Sequence, residues 1–189
     1  MGSVKKNILI TGLPGIGKTT LIRRLSDGLK DNHPAGFFTG EIREKGIRQG
    51  FELTSIDGRK GLLSSVDLKS PFKVGKYKVD IRGFEEFLKS IPFLEDKTGL
   101  VIIDEIGKME CLSDSFRRLI KKLLDSQKPV IATIALKGGG ITEEIKQRDD
   151  VELFEITHEN RDSLSSEILD YVKATMEQCY GRHPDHDKV

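Results

Sequence analysis

The sequence predicts an α/β fold: a mostly parallel sheet with helices on both faces and an additional antiparallel hairpin in the middle. Three observations predict it. Short apolar runs at 7–11, 100–103 and 129–135 read as strands buried on both faces. Stretches with apolar residues at helical spacing stand between these runs, the alternation expected of parallel strands joined by helical crossovers. The segment 36–66 departs from that scheme with two strand-like runs around Lys45-Gly46, a hairpin signal.

Taken in order, Asn7-Ile8-Leu9-Ile10-Thr11 is the first strand, followed by a glycine-rich loop. Residues 19–30 carry Leu21, Ile22, Leu25 and Leu29 on one helical face. The runs 37–43 and 50–56 form the hairpin, and Asp57-Gly58 marks another turn. A strand at 77–81 leads into a helix through Phe84, Phe87, Leu88 and Ile91, with Pro92 near its end. Leu100-Val101-Ile102-Ile103 ends in Asp104-Glu105, and an amphipathic helix at 116–124 precedes the buried strand 129–135. Residues 137–140 are a loop ahead of a short helix ending near Arg148. A strand at 151–157 and a helix at 163–176, with Leu164, Ile168, Leu169 and Val172 on one face, complete the domain. One domain is expected over 1–178, with a polar tail at 179–189.

At 189 residues the chain suffices for one α/β domain with a proper core. Charged residues make up 32% and the formal net charge is +1, so nothing in the charge balance indicates nucleic acid. No apolar run reaches the roughly eighteen residues a membrane span needs, so no membrane association is expected. The N-terminal residues lead straight into the first strand without a signal-peptide core, and Lys6 stands where a myristoylation signal needs Ser or Thr. Cys111 and Cys179 are far apart and lack metal-ligand spacing, as for reduced thiols in a cytoplasmic protein. A monomer is the default expectation.

Gly12-Leu13-Pro14-Gly15-Ile16-Gly17-Lys18-Thr19 satisfies G-x-x-x-x-G-K-[ST], between a buried strand and a helix. Glycines let successive N–H groups converge on phosphate oxygens, and the helix adds its positive N-terminal end. In this pattern Lys18 reaches the β- and γ-phosphates and the Thr19 hydroxyl ligates Mg²⁺, with Thr20 beside it. The fold is therefore expected to be a three-layer P-loop NTPase fold. Such a site needs an acid at the end of a buried strand for the magnesium shell, and Asp104 supplies it. Glu105 is placed to orient and deprotonate attacking water. Ile106 and Gly107 continue this binding segment, Gly107 by letting backbone approach the nucleotide or as a simple turn. Thr133 either senses the γ-phosphate from the neighbouring strand or is a buried, backbone-bonded threonine.

Taken with the loop, Asp104-Glu105-Ile106-Gly107-Lys108-Met109-Glu110 resembles the cancer-related nucleoside-triphosphatase family of bacteria, archaea and animals. Gly36-Phe37-Phe38-Thr39-Gly40-Glu41-Ile42-Arg43, Arg48-Gln49-Gly50-Phe51 and Thr157-His158-Glu159-Asn160-Arg161 are similar to further stretches of it, in register over about residues 6–178. Gly40 departs from the family, where an acid is commoner, and Ala135-Leu136 replaces an Ile-Pro-like pair. The resemblance implies a fold related to the additional-strand ATPases, with slow hydrolysis of ATP, GTP and other triphosphates. The binding segments it implies are Gly12 to Thr19 and residues 100–107.

Phosphoryl transfer gains from a cation at the γ-phosphate, and the candidates are Arg43, Arg48, Arg117, Arg148 and Arg161, with Arg43 and Arg161 preferred. His33 and His158 fit surface or capping roles, and His183 and His186 a polar tail. Two other classes stay open: a P-loop kinase with 137–148 as a lid, and a nucleotide-dependent switch. An acid directly after the metal-side Asp favours water as the acceptor.

Overall fold

A computed structural model of the chain describes residues 5–180. The polar tail expected beyond them, with His183 and His186, lies outside the described residues. The elements follow in order as β1 (Asn7–Gly12), α1 (Lys18–Gly28), β2 (Pro34–Glu44), β3 (Ile47–Ser55), β4 (Lys60–Ser65), β5 (Lys73–Val74), β6 (Tyr77–Val79) and α2 (Ile81–Lys89). Then come β7 (Leu100–Ile106), α3 (Asp114–Asp125), β8 (Val130–Ile134), α4 (Ile141–Lys146), β9 (Val151–Ile156) and α5 (Leu164–Tyr180).

All nine strands join one sheet in the order β5-β6-β4-β3-β2-β7-β8-β1-β9. The strands β2, β7, β8, β1 and β9 pair in parallel, and β1, β7 and β8 among them are the buried apolar runs. From β2 outward every pairing is antiparallel. The expected hairpin is thus β2–β3, but β2 also belongs to the parallel core, and β4, β6 and β5 extend the antiparallel part. Those three strands are short and mixed in polarity, which left β4 and β5 without a clear strand signal.

Parallel strands alternate their side chains between two cores. Leu9, Phe37, Val101, Ile103 and Ala132 face one core with Phe84 and Phe87 of α2 and Phe116, Ile120 and Leu123 of α3. Ile8, Ile10, Phe38, Ile102 and Ile131 face the other with Leu21, Ile22 and Leu25 of α1 and Ile168 and Val172 of α5. In the first core Phe84 touches Phe37 edge-on at 6.2 Å between ring centroids and Phe116 at 5.3 Å, joining sheet, α2 and α3.

Caps set the helix starts. Asp80 accepts from Gly83 N at 3.0 Å, which ends β6 at Val79 and starts α2 at Ile81, earlier than the apolar run to Ile81 suggested. Ser113 accepts from Phe116 N at 3.0 Å at the start of α3. Successive parallel connections run to opposite sides of β1: α1 leads across to β2, while the last strand, β9, is laid on the far side. The C-terminal end of β1 therefore faces the crevice where open α/β sheets bind ligands.

Replacing Phe84 by Ala should cost about 3–5 kcal/mol of stability, because a fully buried ring is lost from the junction of three elements. Urea unfolding of the two proteins would measure it.

Candidate active site

The loop leaves β1 at Gly12, where β9 closes against it. A Cβ there would stand 2.7 Å from both O and Cγ2 of Ile156 and 3.3 Å from Ile16 Cγ2, so only hydrogen fits. Gly15 and Gly17 take φ of +77° and +114°, backbone that L side chains avoid. Ile16 is buried and ties the loop to the core, while Leu13 is exposed. α1 begins at Lys18 with no side chain capping its first turn. Its leading N–H groups and the positive end of its dipole are directed at the loop, a site made for an anion. Lys18 Nζ donates to Gly12 O at 3.0 Å and Leu13 O at 3.1 Å, which holds the ammonium on the loop's first turn.

Asp104 is 2% exposed and is gripped from three directions. Thr133 Oγ1 of β8 donates to its Oδ1 at 3.2 Å and Thr39 N of β2 to its Oδ2 at 3.4 Å, and the Thr19 hydroxyl at the head of α1 also bonds the carboxylate. Thr39 Oγ1 donates to the Asp104 carbonyl at 2.8 Å. Burial raises the Asp104 pKa, opposed by these hydrogen bonds and by the charge of Arg23. Thr133 is buried, as the second reading has it, but its hydroxyl bonds the carboxylate of Asp104 rather than the backbone.

Strict alternation would send Glu105 into the α2–α3 core. The pairing of β7 with β8 shifts register between Ile103 and Ile106, three steps on β7 facing two on β8. Glu105 takes φ +98° within this bulge, its side chain turns out to solvent, and Ile106 returns to the core that Ile103 faces. Crowding by protein raises the Glu105 pKa, the Asp104 charge adds to it, and Lys18 opposes it. Ile106 is thus a core residue, its side chain packed in the α2–α3 core and not turned to the loop. The space beside Gly107 is filled by side-chain atoms of Glu105 and Glu110.

The arginines divide sharply. Arg43 and Arg48 both pair with Glu41, and Arg117 pairs with Asp114. Arg148 binds Asp125 and Asp150 beside Asn7, at the end of β1 opposite the loop, so it is not a site residue. Arg161 lies in the turn after β9 at a loose 3.9 Å from Asp162. That turn is fixed by Asn160, whose Oδ1 accepts from Thr157 N at 2.7 Å and whose Nδ2 donates to Glu155 O at 2.9 Å. Sequence reasoning missed Thr39, Arg23 and Glu110. Arg23, over the Phe38 ring at 4.4 Å, stands one helical turn after Thr19, a spacing that signals a shared face. Thr39 carries no such signal, because only the pairing of β2 with β7 brings it to Asp104.

A glycine-wrapped loop between a buried strand and a helix, with a buried acid at the end of β7 one strand further across the sheet, defines a P-loop nucleotide-binding protein of the α/β class. A family model described as NTPase matches residues 7–169. The chain belongs to this nucleoside-triphosphatase family. It is 48% identical over 167 residues to the nucleoside-triphosphatase THEP1 of a Thermotoga species, covering 88% of this chain and 95% of that protein. It is 36% identical over 188 residues to the human cancer-related nucleoside-triphosphatase, covering 90% and 98%. The crystal structure of THEP1 from Aquifex aeolicus superposes with a TM-score of 0.77 at 34% identity, covering 88% of this chain and 99% of that one.

Gly12→Ala should distort the junction of loop and β9, costing about 1–3 kcal/mol through overpacking. Thermal unfolding with and without nucleotide would show a lowered Tm and a smaller shift on binding.

Proposed function

We propose that the chain hydrolyses ATP, GTP and other nucleoside triphosphates to diphosphate and phosphate, slowly and with Mg²⁺. The observation that carries this is the bulge that turns Glu105 out beside the buried Asp104, with Lys18 close enough to act on its charge. A carboxylate so placed suits the orientation and deprotonation of water better than its exclusion.

The roles follow from the geometry. The amides at the head of α1 and the loop would bind the phosphates, and Lys18, swung from Gly12 O and Leu13 O, would offset charge on the γ-phosphate. Thr20, on the first turn of α1, adds its amide. The donor set fits magnesium: Asp104 is a buried acid without a buried counter-charge, bonded to the Thr19 hydroxyl. Among the described residues no group of three His, Cys, Asp or Glu side chains could cage a metal alone. One carboxylate and one hydroxyl, completed by phosphate oxygens and water, is the mode Mg²⁺ prefers. When bound, the ion would neutralise charge developing on the β- and γ-oxygens. Glu105 would take the proton of water, and its raised pKa makes it the stronger base.

Slow turnover is consistent with the arginine pairings. A cation at the γ-phosphate is worth about 10³–10⁵ in rate, and four of the five candidates are held by carboxylates elsewhere. Arg161 is the best placed of the five to complete the site. A kinase reading draws on a groove of about 680 Å³ between α3 and the loop before α4, lined by Arg117, Arg118 and Lys121, where a phosphate acceptor would have room.

Glu105→Gln should bind nucleotide normally yet lose about 10²- to 10⁴-fold in turnover. Lys18→Ala should weaken binding and turnover together. Phosphate release from ATP, GTP, CTP and UTP, with Mg²⁺ or EDTA and with or without small acceptors, reads both. Normal turnover by the Gln variant would remove Glu105 as the base, and acceptor-dependent products would establish the kinase.

A further inference from the structure

Gly107 separates two carboxyl groups that come from different parts of the chain. A Cβ built on it would lie 2.7 Å from Glu105 Oε1 and 2.9 Å from Glu110 Oε2, so both oxygens are within 3.0 Å of one point. Glu105 reaches this point from the bulge of β7. Glu110 reaches it from a single helical turn, Glu110–Leu112, that carries the chain from β7 to α3. The Glu110 side chain is 3% exposed, the most buried glutamate of the described chain. Buried carboxyl groups are rare without a charge partner, and none of the ion pairs of the described residues includes Glu110.

The charged groups around this turn are Asp104 and Glu105 of β7, Lys18 opposite Glu105, Arg117 of α3 and Glu85 of α2. Arg117 Nη1 donates to Cys111 O at 2.8 Å, and Glu85 accepts from Ser113 Oγ at 2.7 Å. Burial pushes the Glu110 pKa up to about 8, the Glu105 charge adds to it, and the backbone amides of Glu110 and Gly107 oppose it. The neutral acid is thus the resident form at pH 7, and it does not repel the Glu105 carboxylate. Cys111 next to it is an inert thiol, its pKa pushed up to about 12 by burial and the Glu110 charge.

We propose that Glu110 is a positioning residue for hydrolysis: its buried carboxyl, meeting Glu105 over the bare α-carbon of Gly107, confines the Glu105 carboxylate in the orientation that activates water. This assignment rests on Glu105 acting as the base. A methyl group at Gly107 would enter the space in which the two carboxyls meet and push them out of place. Glu110 acts by shape and by being neutral, so ionising it would drive Glu105 from its place.

The test compares steady-state turnover of Glu110→Ala, Glu110→Gln and Gly107→Ala with the full-length chain, using MgATP. Glu110→Ala and Gly107→Ala should each lower kcat by roughly tenfold to a hundredfold, the scale of a misplaced catalytic group, with KM little changed. Glu110→Gln, which keeps the volume and cannot ionise, should restore most of the turnover and lack the fall in kcat expected of the natural protein above about pH 8. Urea unfolding supplies a readout apart from activity. A carboxyl whose folded pKa exceeds its ordinary 4.5 withdraws stability as pH rises from 4.5 to about 8, and Glu110→Gln should flatten that slope. Unchanged kcat in Gly107→Ala or Glu110→Ala, a Gln variant as slow as the Ala variant, or an unaltered pH slope would each overturn the proposal. If Glu110→Ala does not fold, the Gln and Gly107 variants decide. Normal turnover by Glu105→Gln would instead sink the base assignment on which it rests.

Discussion

The structure is organised around the burial of one carboxylate. Asp104 sits near the C-terminal end of β7, between β2 and β8, and threonines from three other elements bond it: Thr39 from β2, Thr133 from β8 and Thr19 from α1. A buried acid lacking these donors would cost several kcal/mol, so the carboxylate holds β2, β7, β8 and the head of α1 in one register. The loop that wraps the phosphates is thereby fixed relative to the sheet. Burial also raises the pKa of the acid, and the three threonines and the charge of Arg23 oppose that rise.

The second constraint is the bulge that follows. Keeping Asp104 on the α1 face and Ile106 in the α2–α3 core requires one extra residue in β7, and Glu105 is that residue. Its left-handed φ of +98° is a strain of about 1–3 kcal/mol for a non-glycine residue, held in place by the two buried neighbours. Packing and chemistry are joined here. The same displacement that rescues the core alternation presents a carboxylate to the phosphate side of the crevice, and Gly107 and Glu110 close in behind it.

Charge elsewhere is spent on structure. Glu41 draws in Arg43 and Arg48, and the Arg148–Asp150–Asn7 group fastens the start of β1 to the turn before β9. Nearer the loop, Lys18 rests on the Gly12 and Leu13 carbonyls and the charge of Arg23 acts on Asp104.

The phosphate loop, the acid pair at Asp104-Glu105 and the buried parallel strands were legible in the sequence because each is a local pattern. Glycine spacing dictates backbone shape, and an apolar run ending in an acid marks a strand end whatever lies around it. The family resemblance drew on such strings and held. Three-dimensional pairing alone decided the rest. Thr39 meets Asp104 only through the register of β2 on β7, across more than sixty residues of chain. The partners of the arginines, such as Glu41 for Arg48 and Asp125 for Arg148, are ones that no spacing rule connects to them. Glu110 was visible as one letter of a motif. Its burial against Glu105 depends on the bulge and the turn that follows it, features set by how two cores must both be filled.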